Sequence, residues 1–98
     1  ALSNAFVKII DGDANHIYTV LSVTFTEAAG NAEKLVMAID PAASGSYIYM
    51  LLDQSIAGFG TFVWNDSFVI TGTDELIVKT DQPANVDVWV SYIDQDWT

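Results

Sequence analysis

Asn85-Val86-Asp87-Val88-Trp89-Val90-Ser91-Tyr92-Ile93 is the stretch that decides the fold. Val86, Val88, Val90 and Tyr92 share one side of an extended chain. Asp87, Trp89, Ser91 and Ile93 share the other. A period of two is the period of a pleated strand, and β-branched and aromatic side chains fill it, as a half-buried sheet surface prefers. Nothing in it suits a helix.

The same pattern extends back along the chain, broken by turn clusters. Asp74 to Thr80 alternates with Leu76 and Val78 inward, ahead of the Asp81-Gln82-Pro83-Ala84 turn. Thr61 to Trp64 and Phe68 to Ile70 are short strands joined by Asn65-Asp66-Ser67. Ser46 to Asp53 sets Tyr47, Tyr49 and Leu51 against Ile48, Met50 and Leu52, and Gln54 to Gly60 reads as a flexible loop. Glu33 to Asp40 sets Leu35, Met37 and Ile39 on one face and stops at Pro41, which has no N–H for a ladder. Ile17 to Thr26 is the longest run. Its alternation places Ile17, Thr19, Leu21, Val23 and Phe25 together, opposite Tyr18, Val20, Ser22, Thr24 and Thr26. Phe6 to Ile10 comes first, closed by Asp11-Gly12-Asp13-Ala14-Asn15.

Eight strand candidates and no convincing helix predict an all-β fold. The architecture expected is a single antiparallel two-sheet β-sandwich, jelly-roll-like. The chain of 98 residues makes one domain, 1–98, with short extended arms at Ala1–Phe6 and from Asp94 to Thr98. No stretch is long and apolar enough for a membrane span. A start at Ala1 is read as loss of an initiator Met rather than of a signal peptide.

Composition narrows function by exclusion. The chain has 13 acids against 3 basic residues, for a net charge of −10. Phosphate contacts need Lys and Arg in numbers, so nucleic acid and anionic membranes are not expected partners. Cysteine is absent, which removes disulfides, thiolate catalysis and thiolate zinc sites. His16 is the lone histidine and reads as a solvated residue at a strand start. The acids sit in turns and at strand ends, so no catalytic residue is assigned, no cofactor is expected, and the chain is not read as an enzyme. Asp11, Asp13 and Asn15 copy the opening of a calcium loop, but His16 stands at its sixth position and Ser22 at its twelfth, where Gly and Glu are needed. A plain Asp/Gly/Asn turn explains them better.

One pattern does not suit an isolated sandwich. Strand faces should be apolar inside and polar outside. Here the strand around Tyr49 is apolar on both faces, and Trp89 and Ile93 sit on a nominally outer face. These residues predict a protein–protein interface. The residues assigned to it are Phe6, Ile48, Met50, Leu52, Phe59, Trp89, Ile93 and Trp97, and a homo-oligomer, a trimer, is expected. The competing use of the aromatics Trp64, Trp89, Trp97, Tyr18, Tyr47, Tyr49 and Tyr92 is a sugar-stacking platform.

Ile17-Tyr18-Thr19-Val20, then Tyr47-Ile48-Tyr49, then Thr73-Asp74-Glu75-Leu76-Ile77-Val78 and Val86 to Tyr92 follow in an order that resembles the small β-sandwich virion proteins of tailed bacteriophages. These are capsid decoration (cement) proteins and head- or tail-fibre modules. The likeness spans about four-fifths of the chain, and it lies in the order of strands and turns. It implies a decoration protein that reinforces the head shell by non-covalent contact with the major capsid protein, made in the host cytoplasm and resident on the virion. A neck, tail or fibre component is the near alternative, and a small carbohydrate- or surface-binding module the distant one. The family has no catalytic residues to carry over.

Overall fold

The computed structural model describes residues 2–96. It contains eight strands: β1 (Val7–Asp11), β2 (His16–Glu27), β3 (Glu33–Asp40), β4 (Ile48–Ile56), β5 (Thr61–Trp64), β6 (Phe68–Thr71), β7 (Glu75–Thr80) and β8 (Val86–Asp96). A single turn of 3-10 helix, Pro41–Ala43, follows β3. The strands form two antiparallel sheets. The first has the order β1-β7-β3-β4. In the second, β8 lies along one flank of β2, while β5 and β6 lie end to end along the other. The two-sheet sandwich expected from the alternation is therefore present.

The core sits between the sheets. Leu35, Met37, Leu76 and Val78 line it from the first sheet; Val20, Val23, Phe25 and Val86 line it from the second, all with no exposed surface. Val88 and Val90 pack onto the same cluster. Burying each such side chain contributes about 1.5–3 kcal/mol.

Strict alternation fails in β2. Tyr18 and Val20 point inward, and so do Val23 and Phe25, but Leu21 is exposed. The register against β8 slips between Val20 and Ser22. One extra residue inserted there reverses the phase of everything after it. The expectation that Ile17, Leu21, Val23 and Phe25 share a face is thus corrected: Val23 and Phe25 lie with Tyr18 and Val20. β4 is bulged twice against β3, and Asp53 adopts a left-handed φ of 57°. The bulges let this strand run on to Ile56, past the loop expected from Gln54.

The described parts of both arms are held by the sheets. Leu2 is buried; its N–H donates to the carbonyl of Val86, its carbonyl accepts from Ala84, and Ser3's carbonyl accepts from Thr80. Asp94, Gln95 and Asp96 continue β8 instead of forming a tail. Trp97 lies outside the described residues.

Candidate functional site

The two outer faces of the sandwich differ. On the first sheet, Val36, Ala38, Asp40, Glu75 and Ile77 alternate with the core residues and point away from the core, yet all five are buried. The chain covers this face itself. Phe6 packs edge-on against Tyr47 (5.0 Å, 72°), Tyr47 against Tyr49 (6.4 Å, 89°), and Lys79 Nζ sits 4.9 Å over the Phe6 ring. Lys8 Nζ reaches Glu75 at 2.9 Å, and Asp40 accepts from the Gly45 N–H at 2.9 Å. Phe6, assigned above to an interface, is half-buried in this layer.

The outer face of the second sheet has no such cover among the described residues. Register places Val63, Thr24 and Trp89 in one cross-strand row and Val69, Thr19 and Ile93 in another, with Leu21 bulging between them. Trp89 is 75% exposed, Val69 55%, Ile93 51%, Val63 49% and Leu21 40%. The ground between is hydroxyl-bearing: Thr19, Thr24, Ser22 paired with Ser91, and Thr26 paired with Thr61. Among the described residues that register sets on this face, Asp87 is the one ionisable side chain, and it lies at one end. A chain with 13 acids has set one of them on this surface, at its end. Three strands about 4.8 Å apart along a strand roughly 40 Å long give the whole face, apolar and hydroxyl-bearing together, on the order of 500–600 Å² in projection.

The bulge is what widens the apolar part. In strict alternation Leu21 would have gone to the core with Val23. The slipped register exposes it between the two rows, where no reading of β8 alone would have placed an apolar residue.

The other assigned residues are spread out. Ile48 (59% exposed) and Leu52 (67%) lie on the edge strand β4, and Met50 packs partly on the core. Phe59 is 74% exposed at the tip of the β4–β5 loop. Its backbone is in the left-handed region, φ 57°, and its N–H is anchored on the Glu27 carboxylate at 3.1 Å. Trp89 and Ile93 are thus the two assigned residues that fall together on one surface.

Electrostatic detail gathers at two places that local sequence did not reveal. At the start of β2, His16 Nδ1 lies 2.7 Å from Asp94 and Nε2 3.6 Å from Asp96, with the ring stacked on Tyr18 at 5.7 Å. It is a paired residue, not the solvated one expected. The hydrogen bond with Asp94 raises its pKa above the ordinary 6.5, against the opposing pull of partial burial. Its stabilisation is therefore complete below pH 6.5 and fades as pH rises through the raised value. An NMR titration of the imidazole should give a midpoint above 6.5, and Asp94→Asn should bring it down.

At the far end of β2, Glu27 is buried among backbone donors from two loops. It ties the β2–β3 loop to the β4–β5 loop.

Asp11 ends β1 opposite Glu75, Asp13 donates its N–H to Tyr18 Oη at 3.2 Å, and Asn15 takes a left-handed φ of 64°. They make a turn. No group of three His, Asp or Glu side chains among the described residues is placed to hold a metal ion. A shallow cleft of about 280 Å³ lies elsewhere, lined by Ala32, Glu33, Lys34, Ser55, Asp81 and Gln82, open to solvent and short of the usual ligand-pocket size. Of the sugar-stacking aromatics, Tyr18 is buried and Trp64 is half-buried, donating Nε1–H to the Asp66 carbonyl at 2.9 Å. No family model, curated protein or solved structure matches this chain.

Proposed function

We propose that this chain is a non-catalytic structural protein that acts by docking the outer face of its second sheet onto a larger protein assembly. Following the resemblance above, the assembly is the head of a tailed bacteriophage and the surface contacted is its major capsid protein. The observation that carries the docking part is the nearly charge-free apolar face of Trp89, Ile93, Leu21, Val63 and Val69 on an otherwise strongly acidic chain. The virion part rests on the order of strands and turns. Exposed ion pairs add little affinity and are screened by salt, so an attachment of this kind is apolar.

Sugar stacking fits the geometry less well. A sugar platform presents several exposed aromatic faces, whereas Tyr18 is buried, Trp64 is half-buried and Tyr47 and Tyr49 pack edge to face, with Trp89 the one exposed ring on the bare face.

Sedimentation with heads that lack the chain tests the reading. Wild type should stay bound in high salt. Trp89→Ser or Val69→Asp should weaken binding; loss of a central anchor costs about 2–4 kcal/mol, roughly thirty- to a thousandfold in affinity. Release of wild type by salt alone, or saturable glycan binding with none to heads, would overturn it.

A further inference from the structure

We propose that β8 is a pairing edge for a second copy of this chain, so that two second sheets join into one continuous antiparallel sheet across a two-fold axis at Ser91.

The evidence is the contrast between the four sheet edges. An open edge invites another strand, and proteins blunt it with shortness, bulges or lysines. β1 has five residues, carries Lys8, and slips register between Lys8 and Ile10. β4 is bulged twice, with Asp53 in a left-handed conformation. β5 and β6 have four residues each and are separated by a turn. β8 runs for eleven residues with no Gly, Pro or Lys, and the slip in its pairing is taken up by β2 at Leu21. β8 has its acids, Asp87, Asp94 and Asp96, towards its ends and the arm at its start, which leaves Val88 to Ile93 without any of these devices.

Hydrogen-bond direction supports the same conclusion. The Asn85 carbonyl accepts from Ala28 on the β2 side, while the Val86 carbonyl accepts from Leu2 on the opposite side. Residues alternate, so Val88, Val90, Tyr92 and Asp94 aim their N–H and C=O groups at the open edge. The N-terminal arm occupies that edge only at its beginning.

The sequence of β8 is self-complementary about its midpoint. Centred on Ser91, residues 87–95 overlap, and the Val86 carbonyl stays with Leu2. Trp89 then lies beside the second copy's Ile93, and Val90 beside its Tyr92. Val88 lies beside its Asp94 and Asp87 beside its Gln95, so no acid faces an acid. Two exposed apolar side chains of each chain become cross-strand neighbours, the unit from which sheets gain stability. The pairs Val88–Asp94, Val90–Tyr92 and their mates supply on the order of eight ladder hydrogen bonds. The apolar outer face is doubled and stays open, so the inference is independent of what that face docks onto.

Commitment to a second copy follows from the side-chain pairs Trp89–Ile93 and Val90–Tyr92 and from the placing of every acid opposite a neutral residue. Because both copies are acidic, pairing should strengthen as salt rises, the reverse of an acidic chain binding a basic partner.

The chain has no cysteine, so single thiols can read the register. Ser91 faces its own mate at a non-hydrogen-bonded pair, where Cα atoms lie about 4.5 Å apart, within disulfide reach. Wild type at micromolar concentration should show twice the 10.7 kDa chain mass by light scattering. Under mild oxidation Ser91→Cys should form a covalent dimer roughly tenfold faster, or more, than Asp87→Cys or Ile93→Cys, whose own mates are several residues away. Trp89→Cys combined with Ile93→Cys should cross-link as Ser91→Cys does. A monomer, a trimer, or equal cross-linking at the three single positions would overturn the proposal. A dimer in which Ser91→Cys fails to cross-link would do so as well, since it would place the contact elsewhere.

Discussion

Glu27→Ala should lower the unfolding midpoint by roughly 10–20 °C. The side chain is 1% exposed at the end of β2. One carboxylate oxygen accepts from the N–H groups of Ala29, Gly30, Asn31 and Phe59, and the other is also within reach of Ala29. The β2–β3 loop and the β4–β5 loop are wrapped around a single anion. Glycine makes the wrapping close. A Cβ on Gly58 would collide with the Gly30 carbonyl oxygen, and one on Gly30, whose φ is +83°, would stand 2.7 Å from the Phe59 ring. Alanine at 27 takes away the one acceptor that four N–H groups of two loops share, and a donor left unmet costs more than the bond was worth.

The pH dependence gives the effect a signature. Burial pushes the Glu27 carboxyl upward, but the backbone N–H groups of Phe59, Ala29, Gly30 and Asn31 outweigh it and hold the group below its ordinary 4.5. A depressed folded value means the stabilisation is present above pH 4.5 and is lost as pH falls through the lower value. The gap in midpoint between wild type and Glu27→Gln should therefore be constant above pH 5 or so and narrow below 4.5. A gap that does not change with pH would mean the carboxylate's charge is not what organises the loops. Thermal melts at a series of pH values decide it.

Much of this fold was legible because period-two patterning is local. β3 and β5 begin and end where their alternation and the residues around them say, at Glu33–Asp40 and Thr61–Trp64. Leu76, Val78, Val86 and Val88 face inward as read. What escaped was set by partners far along the chain. Glu27 sits before Ala28, Ala29, Gly30 and Asn31, which reads as a solvated turn; its burial needs Phe59, 32 residues away. The glycines at 30, 58 and 60 were the available signal, since tight backbone approach demands them. His16 meets Asp94 across 78 residues, through the full length of the β2–β8 ladder.

The candidate site was half legible for the same reason. Trp89 and Ile93 declared themselves on the outward phase of β8. Val63 and Val69 belong to strands too short to show a phase by themselves. The two-faced apolar strand β4 was read as interface, and part of that surplus covers the chain's own first sheet through Tyr47, Tyr49 and Phe6. Apolar residues beyond the needs of one core thus have two destinations here. A self-covering layer takes one outer face, and the other is left bare.

Leu21 separates the bulged strand from the alternating one by experiment. Period-two reading joins Leu21 to Val23 and Phe25 in the core, so an acid there should unfold the chain. The structure exposes Leu21 to 40% and leaves Val20 and Val23, on either side of the bulge, with no exposure. Leu21→Asp should keep the fold, with a midpoint within a few degrees of wild type, because a surface substitution changes stability by about 0.5 kcal/mol or less. Val20→Asp and Val23→Asp each place a carboxylate in the core without a partner. That costs several kcal/mol, comparable with the whole stability of about 5–15 kcal/mol for a small domain. Both should fail to give a cooperative melt. Circular dichroism with thermal unfolding is enough to read all three. If Leu21→Asp unfolds and Val20→Asp does not, β2 alternates without a bulge. Val63, Val69, Trp89 and Ile93 would then lose the residue that joins their two rows, and the continuous apolar face would break into two smaller ones.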